Sequence, residues 1–453
     1  MGGIAVKRLT LERVTFSLAA LLGLVAILLG GTSQRDVGYF FLVELVAAPV
    51  LGLALYTLWS REGWRDHRPV LALTAAIVAV PLVQLAPLPP GVWSVLPGRE
   101  DLNLASQLLG LPPRWLPMTL TPDATRGALW SLLPPVAMFI ATLVLNAEQR
   151  TRLAQVAIGG GAISMLLAWA QLISGGDGLY LYSSVDAGSV VGFFTNRNHL
   201  ATLILMLIPL AAALSLSGAA WGSDDPRVGR WLFGLVLLVA IVTLALTRSR
   251  TGIALTAPVV LACLILVWSS RSGRRLSLPV LSLMGIVGAA VTTVIFFGLD
   301  PILDRYEALG DRPELRFLNW PLVIEAGTRF QPWGAGLGSF DPVYRSVEPL
   351  SQLSPQAFTR AHNDYLEIWL ETGWIGLILL GLVLAWAGRA WFGAWKSGTY
   401  PAILLSRAAG ISILVVVLHS VVDYPVRMEA ISVWLAFCLG ALTPAAHRDG
   451  RRF

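Results

Sequence analysis

The fold of this chain is decided by residues 230–269, which read RWLFGLVLLVAIVTLALTRSRTGIALTAPVVLACLILVWS. Two apolar runs, 230–247 and 252–269, are separated only by a short charged turn. Each run is close to the ~20 residues that a helix needs to cross the hydrocarbon core of a bilayer. The stretch therefore predicts a pair of membrane-spanning helices.

The rest of the chain shares this composition. Of its 453 residues, 55% are hydrophobic and 13% are charged, whereas an average soluble protein has about 25% charged residues. The mean hydropathy is +0.69. So few charged side chains cannot coat the surface of a soluble protein of this size. The composition argues against a soluble enzyme, a nucleic-acid-binding protein and a disordered chain, and it predicts an all-α polytopic membrane protein.

Counting runs of about 20 apolar residues gives about twelve candidate spans. They cover residues 14–31, 37–59, 69–88, 124–146, 153–174, 198–217, 230–247, 252–269, 278–299, 374–393, 401–422 and 428–444. The first run lacks a following small-residue cleavage site, so we expect a start-transfer helix rather than a cleaved signal peptide.

The distribution of basic residues predicts the orientation of these spans. Lys and Arg are concentrated in the loops that become cytoplasmic when the N-terminus lies inside, which places the C-terminus inside as well. Residues 89–123, 175–197 and 300–361 then face outward. We divide the chain into N-terminal helices (1–190), central helices (191–299), a large outer loop (300–361) and C-terminal helices (362–453).

The turn between the two central spans carries Arg248 and Arg250 within Thr-Arg-Ser-Arg-Thr-Gly. Charged residues at the edge of a membrane are costly and often functional. Thr251 and Gly252 open the next helix, whose free backbone N–H groups also favour anions. The turn predicts an anion site at the bilayer surface; the alternative is two arginines that extend to lipid headgroups.

Two further polar segments face the same side. Arg316, in the large loop, could reach a phosphate or pair with Glu314 or Asp311. Residues 195–199, Thr-Asn-Arg-Asn-His, form a polar cluster at the start of the sixth span. Arg197, Asn198 and His199 there could contact a sugar or a phosphate, or could cap a helix.

The segment from Ala361 to Gly373 reads AHNDYLEIWLETG and contains the candidate catalytic residue. Asn363, Glu367 and Glu371 share one helical face, and His362 begins the helix. A neutral histidine is a suitable general base near pH 7, although a lone histidine can also cap a helix.

Three other sequence features limit the chemistry that can be expected. His419 and Asp423 lie four residues apart, and we expect a buried polar pair that joins helices. The two cysteines, Cys263 and Cys438, lie in apolar runs and predict neither a disulfide framework nor a metal cluster. No Asp-x-Asp motif and no P-loop occur, so no metal, nucleotide or other cofactor is expected.

Taken together, these motifs resemble the O-antigen ligase/polymerase superfamily over residues 190–430. The Arg-x-Arg-Thr-Gly turn, the Arg-x-x-x-Trp and Gly-rich stretches of the large loop, and His-Asn-Asp-Tyr-Leu carry the resemblance, the last most specifically. It implies a glycosyltransferase of the GT-C type in the bacterial inner membrane, acting on the periplasmic side.

The resemblance also implies roles for individual residues and partners. By position, Arg250 and Arg316 match the diphosphate-binding arginines, with Arg248 adjacent, and His362 matches the catalytic histidine. Asn363 and Tyr365 are added as possible sugar or phosphate contacts. The donor would be a glycan on undecaprenyl diphosphate, and the acceptor lipid A–core or another glycan; membrane lipids are partners and nucleic acid is not. Transfer would be inverting and metal-independent.

Several alternatives stay open at this point. A polymerase joining lipid-linked repeat units for O-antigen, capsule or exopolysaccharide would use the same arginine and histidine chemistry as a ligase. A protein O-glycosyltransferase differs only in its acceptor. A lipid-linked glycan transporter also suits about twelve spans, but it should carry charges near the middle of several spans. Here Glu44 is the clearest such charge.

Overall fold

A computed structural model describes residues 2–33, 38–175, 178–183, 185, 188–217, 226–270, 315–350 and 358–445. These residues are predominantly helical, and the prediction of an all-α polytopic membrane protein is confirmed. The α-helices are α1 (Gly2–Leu29), α2 (Tyr39–Ser60), α3 (Arg68–Leu85), α4 (Pro90–Trp93), α5 (Glu100–Leu108), α6 (Pro122–Ser131), α7 (Leu133–Val144), α8 (Ala147–Ile173), α9 (Arg197–Leu216), α10 (Pro226–Thr247), α11 (Arg250–Ser269), α12 (Leu315–Thr328), α13 (Phe340–Arg345), α14 (Asp364–Lys396), α15 (Pro401–His419) and α16 (Glu429–Ala441).

Short elements connect these helices at three places. 3₁₀ turns cover Gly63–Arg65 and Pro425–Arg427. A small antiparallel sheet pairs β1 (Pro87–Leu88) with β2 (Leu116–Pro117), with Pro87 opposite Pro117.

Most of the predicted spans correspond to helices in the described part of the chain. Ten helical stretches there are long and apolar enough to cross a membrane, and α16 is a shorter apolar helix. The predicted span at 278–299 lies outside the described residues. The predicted span at 124–146 consists of two helices, α6 and α7, that meet at Leu132. The break precedes Pro134 and Pro135, whose missing N–H groups and fixed φ angles interrupt a continuous helix.

Polar residues set the start of several helices. The Asn146 side chain accepts from the backbone N–H of Gln149 and forms a capping box at the start of α8. Ser249 accepts from Gly252 N–H at the start of α11, and Asn363 accepts from Tyr365 and Leu366 N–H at the start of α14. Such caps satisfy backbone donors that have no partner inside the helix.

Helix α9 is the central helix of the bundle. It packs against α8, α10, α11 and α15, and 89% of its most apolar 18-residue window is buried. Its first turn therefore lies inside a ring of neighbouring helices. The end of the bundle that holds the first turn of α9 is called the site end below.

Helix α14 contains a break at Gly373, where φ is 62° and ψ is −155°. Its 33 residues would extend about 50 Å as one straight helix at ~1.5 Å per residue, well beyond the ~30 Å hydrocarbon core. The break separates an outer segment, residues 364–372, from the apolar part that follows. The predicted span at 374–393 lies wholly within this apolar part.

A second apolar core lies at the site end, beneath the loops. Its buried members are Val323, Ala326, Phe330, Ala335, Phe340, Val343, Tyr344, Ala361 and Leu370. The described part of the large loop is thus packed onto the outer segment of α14.

The Gly-rich stretch of the large loop, residues 331–340, is held between two other segments. Leu120 N–H donates to Ala335 O at 2.9 Å, and Leu337 N–H donates to Gln84 Oε1 at 2.9 Å. Gly336 adopts a φ of +116°, and a Cβ there would lie 2.5 Å from Thr119 Cβ. Only glycine fits such a backbone at such a close approach, so the glycines allow the loop between α3 and α6 to pack directly on this stretch.

Candidate active site

Asp423 lies at the centre of a polar cluster at the site end. It follows α15, in the loop before Pro425–Arg427, and is fully buried. Asn198 Nδ2 donates to its Oδ2 at 2.7 Å. Its Oδ1 lies 3.4 Å from His362 Nδ1 and 3.7 Å from His199 Nε2. One carboxylate therefore connects the start of α9, the start of α14 and the end of α15.

The surroundings of Asp423 keep it ionised. Burial alone would raise the pKa of this carboxyl group, but the imidazoles of His199 and His362, whose ring nitrogens lie beside it, have the larger combined effect. The net result is a pKa of Asp423 well below its usual value. At neutral pH the cluster thus contains a buried anion facing two imidazole rings.

The ring of His362 contacts the protein on one side and is partly exposed to solvent. The residue immediately precedes the N-cap Asn363 and has a φ of +48°, a conformation that costs energy for a non-glycine residue and is common at functional sites. Its ring makes an edge contact with Tyr424, with centroids 4.9 Å apart. The side chain is 29% exposed. Because Nδ1 faces Asp423, Nε2 lies on the other side of the ring.

His199 contacts the same tyrosine, Tyr424. Its ring is fully buried and contacts Tyr424 edge-on at a centroid distance of 4.9 Å. The two histidines therefore share both a carboxylate and an aromatic neighbour. The sequence motifs that contain them are 163 residues apart, and the fold brings them together.

The sequence predicts that His419 and Asp423 form a buried polar pair that joins helices, and the structure shows a different arrangement. Both residues are buried and both bind α9, but through separate partners: His419 Nδ1 pairs with Thr202 Oγ1 at 2.7 Å, and Asp423 pairs with Asn198. The two side chains therefore join the end of α15 to two successive turns of α9.

A chain of buried charges supports the segment that carries His362. Arg427 Nη2 donates to Glu371 Oε2 at 2.7 Å and lies 3.4 Å from Glu367 Oε1. Arg360 Nη1 donates to Glu367 Oε1 at 2.8 Å. Burial alone would lower the pKa of Arg427, but Glu371 and Glu367 outweigh it and raise this pKa. The network ties the loop before His362 to the outer segment of α14 and to the turn before α16.

The arginine turn lies at the same end of the bundle. Arg248 is exposed with a φ of +52°, and Arg250 begins α11 half-buried. A Cβ on Gly252 would lie 2.7 Å from Ala201 Cβ, which is in the first turns of α9. The close packing of Gly252 on Ala201 sets the turn beside the helix start that contains Arg197, Asn198 and His199.

The structure describes the backbone of Arg316 but not its side chain. The residue lies in the first turn of α12. Trp320, one turn further along α12, donates through Nε1 to Ala361 O at 3.0 Å. The start of α12 is thereby held next to the residue that precedes His362.

Several predicted sugar or phosphate contacts have partners within the protein. Asn363 caps α14, Tyr365 OH donates to Val417 O at 2.7 Å, and Asn198 donates to Asp423. Arg197 is half-buried at the start of α9. Contacts of these residues with a substrate stay a prediction.

Sequence reasoning did not identify Arg360 or Arg427, nor the central place of Asp423. The shared face of Glu367 and Glu371 indicated that partners were needed, since buried carboxylates require them. Among the described residues, no group of three His, Cys, Asp or Glu side chains is arranged to hold a metal ion. The expectation of metal-independent chemistry stays a prediction.

Two comparisons with known proteins bear on this site. Residues 233–381 match the family model described as O-antigen ligase. The chain is 29% identical over 234 residues to the exopolysaccharide production protein ExoQ of Rhizobium meliloti (strain 1021). That alignment covers 48% of this chain and 50% of the relative, so it spans about half of the length of each protein. Residues 233–381 include the arginine turn, Arg316 and His362, and the resemblance of the chain to the O-antigen ligase and polymerase superfamily is confirmed.

Proposed function

We propose that this protein is a membrane glycosyltransferase of the O-antigen ligase type. It transfers a glycan from undecaprenyl diphosphate to an acceptor hydroxyl, with lipid A–core as the acceptor, on the periplasmic face of the bacterial inner membrane. The observation that carries the proposal is the pairing of a partly exposed His362 with the buried, ionised Asp423. This pair lies at the end of the bundle that also holds Arg248 and Arg250.

His362 acts as the general base. Asp423 Oδ1 lies 3.4 Å from Nδ1, and its negative charge favours the tautomer with the proton on Nδ1 and the lone pair on Nε2. Nε2 then takes the proton of the acceptor hydroxyl as the transfer proceeds. Asp423 is a positioning residue, because it contacts the histidine rather than the substrate, and its charge stabilises the imidazolium that forms.

The transfer is a single displacement. The acceptor oxygen forms a bond to C1 of the sugar as the bond from C1 to the diphosphate oxygen breaks. The electron pair of that bond leaves with undecaprenyl diphosphate, and the acceptor proton resides on His362. Because the acceptor attacks opposite the leaving group, the configuration at C1 is inverted.

The leaving diphosphate needs positive charge. Arg248 and Arg250 supply it, together with the backbone N–H groups at the start of α11, and Arg316 is the third arginine of this set. Since arginines provide the charge, the reaction needs no metal. We expect the rate of transfer to be unchanged by EDTA. A large loss of rate that Mg²⁺ restores would overturn the metal-independent mechanism.

The direct test of the base is His362→Ala in purified, reconstituted protein with a lipid-linked glycan donor. Loss of a general base lowers rates by about 10²–10⁴-fold, and we expect a loss in this range at unchanged protein level. His67→Ala is the matched control, since His67 lies in the loop between α2 and α3 at the opposite end of the bundle. Full transfer by the His362 variant would remove this residue from the mechanism. If the protein were a transporter, the wild type would form no new glycosidic bond in this assay.

A second candidate is a polymerase that joins lipid-linked repeat units. The observation that favours it is the relative named for exopolysaccharide production. A deletion strain separates the two functions. Loss of a ligase leaves lipid A–core without long chains while lipid-linked polymer accumulates. Loss of a polymerase leaves products that carry a single repeat.

A further inference from the structure

Helix α5, in the loop between α3 and α6, exposes all of its leucines, and the only residues of this helix that are partly covered by the protein are polar. Asn103 and Ser106 are its half-buried residues, and Asn103 Nδ2 donates to Ser94 O at 2.8 Å. Leu108 is 79% exposed and the following Leu109 is 73% exposed. A helix on the surface of a soluble domain has the opposite arrangement.

The exposed apolar surface extends beyond the helix. It is formed by Val95, Leu104, Leu108, Leu109 and Trp115, which we call the apolar loop surface. Val95 is 77% exposed and Trp115 is 64% exposed. Apolar patches of this kind on a fixed element mark contact with a membrane or a partner.

The loop that carries this surface is firmly attached to the protein. Trp93 Nε1 donates to Pro117 O at 2.9 Å. The guanidinium of Arg99 is buried between the rings of Trp93 and Phe330, and burial lowers the pKa of Arg99 to about 10. Exposure of the leucines is thus a property of a packed element and not of a loose chain.

The position of the loop identifies what covers this surface. It joins the ends of two membrane-spanning stretches, Arg68–Leu85 and Pro122–Val144. Only 17% of the first is buried in its most apolar window, so α3 lies at the periphery and faces lipid. The last turn of α3 exposes Leu82 and Val83, and the apolar loop surface continues this lipid-facing side at the level where the helices leave the bilayer.

We propose that the apolar loop surface docks into the lipid leaflet at the site end, with α5 lying in the plane of the interface. A helix with an apolar face binds there by burying that face beneath the headgroups, and tryptophan is enriched at this depth. Glu100 and Asp101, which are exposed in the first turn of α5, stay with the headgroups. The leaflet thereby anchors the same loop that packs on the Gly-rich stretch of the large loop.

The test compares two adjacent, exposed positions of α5, whose side chains point about 100° apart around the helix axis. In the full chain carrying Cys263→Ala and Cys438→Ala, Leu108→Cys or Gln107→Cys is labelled with an environment-sensitive fluorophore. Each protein is reconstituted in phosphatidylcholine vesicles that contain a lipid with a nitroxide on its acyl chain. A monodisperse profile in detergent shows that each variant is folded.

We expect the nitroxide lipid to quench the fluorophore at position 108 at least about twofold more than at position 107, and iodide in the buffer to show the reverse order. Equal quenching by the lipid at both positions would overturn the proposal. So would quenching at position 108 that depends on the protein-to-lipid ratio, because that result would show that a second copy of the chain covers the surface.

Discussion

Asp423 illustrates how one residue can organise a site to which it contributes no exposed atom. Its two oxygens meet Asn198, His362 and His199, which come from two different helix starts. Because the carboxylate is fully buried, its charge acts on these partners with little screening by water. The orientation of His362 therefore depends on a residue 61 positions further along the chain.

Replacing Asp423 with Asn tests this dependence. The amide retains the size of the side chain but not its charge, and it can stabilise the wrong tautomer of His362. We expect the rate of glycan transfer to fall by about 10²–10⁴-fold with little change in protein level, together with an altered dependence of the rate on pH. Asp341→Asn is the matched control, because Asp341 forms an exposed ion pair with Arg345. A purely structural role for Asp423 would lower the amount of folded protein and leave the pH profile of the remainder unchanged.

The lowered pKa of Asp423 also predicts how stability changes with pH. The carboxyl group has a lower pKa in the folded protein than in the unfolded chain, where it is about 3.9. The unfolded chain thus binds the proton more readily. The stabilisation is present above about pH 4 and is lost as the pH falls through the folded value. The difference in unfolding temperature between wild type and Asp423→Asn should shrink below about pH 4. A difference in unfolding temperature that grows below about pH 4 would contradict the predicted direction.

The sequence indicated His362 and the arginine turn because their residue types are unusual at membrane edges. It could not indicate which carboxylate holds the histidine, since Asp423, Glu367 and Glu371 all lie in plausible positions. That choice depends on how the loop after α15 packs on α9, which is a matter of tertiary contacts and has no periodic signal. Arg427, in a 3₁₀ turn, likewise has no pattern that marks it as buried.

At the scale of elements, the outer segment of α14 is held by charges rather than by apolar packing alone. Glu367 and Glu371 are both fully buried, and Arg427 and Arg360 compensate them. Buried ion pairs of this kind contribute modest net stability when intact, but they leave costly unpaired charges when one partner is removed. The segment is therefore sensitive to the loss of Arg427.

Replacing Arg427 with Met should destabilise the protein by about 3–5 kcal/mol, because two buried carboxylates lose a partner. The measurement is the unfolding temperature in detergent. Arg345→Met provides the control, since the exposed pair of Arg345 with Asp341 should contribute only about 0–1 kcal/mol. Similar small effects in both variants would mean that the buried network is not an essential support of α14.

Hydropathy predicted most of the helices because a bilayer of fixed thickness requires long apolar runs. It was less informative where helices break. The division between α6 and α7 follows from Pro134 and Pro135, which a sliding count of apolar residues includes without penalty. Helix α5 was not predicted, because at 9 residues it is too short to be detected as a span.

At the scale of the whole molecule, the ends of the helices fall into two groups. The site end holds the starts of α9, α11 and α14, and the opposite end holds buried arginines that bind helix carboxyl ends. Arg150 donates to Thr443 O at 2.7 Å, and Arg407 donates to Ala394 O at 3.0 Å. The predicted orientation places the site end in the periplasm and these two arginines at the cytoplasmic side.

Labelling of single cysteines checks this orientation. Asp66 and Gln107 are both exposed and lie in loops at opposite ends of α3. In intact spheroplasts, a membrane-impermeant maleimide should label Gln107→Cys at once and Asp66→Cys only after permeabilisation. The reverse order would invert the topology and place the site on the cytoplasmic face.

The break at Gly373 has an electrical consequence. The part of α14 after the break, residues 374–396, would extend ~35 Å at ~1.5 Å per residue, which is enough to cross the ~30 Å hydrocarbon core. We therefore expect Asp364, Glu367 and Glu371, and the loop that carries His362, to lie outside the membrane field, which acts on a charge crossing it fully by ~2.3 kcal/mol per 100 mV. Glycan transfer should therefore proceed at the same rate in energised and de-energised vesicles.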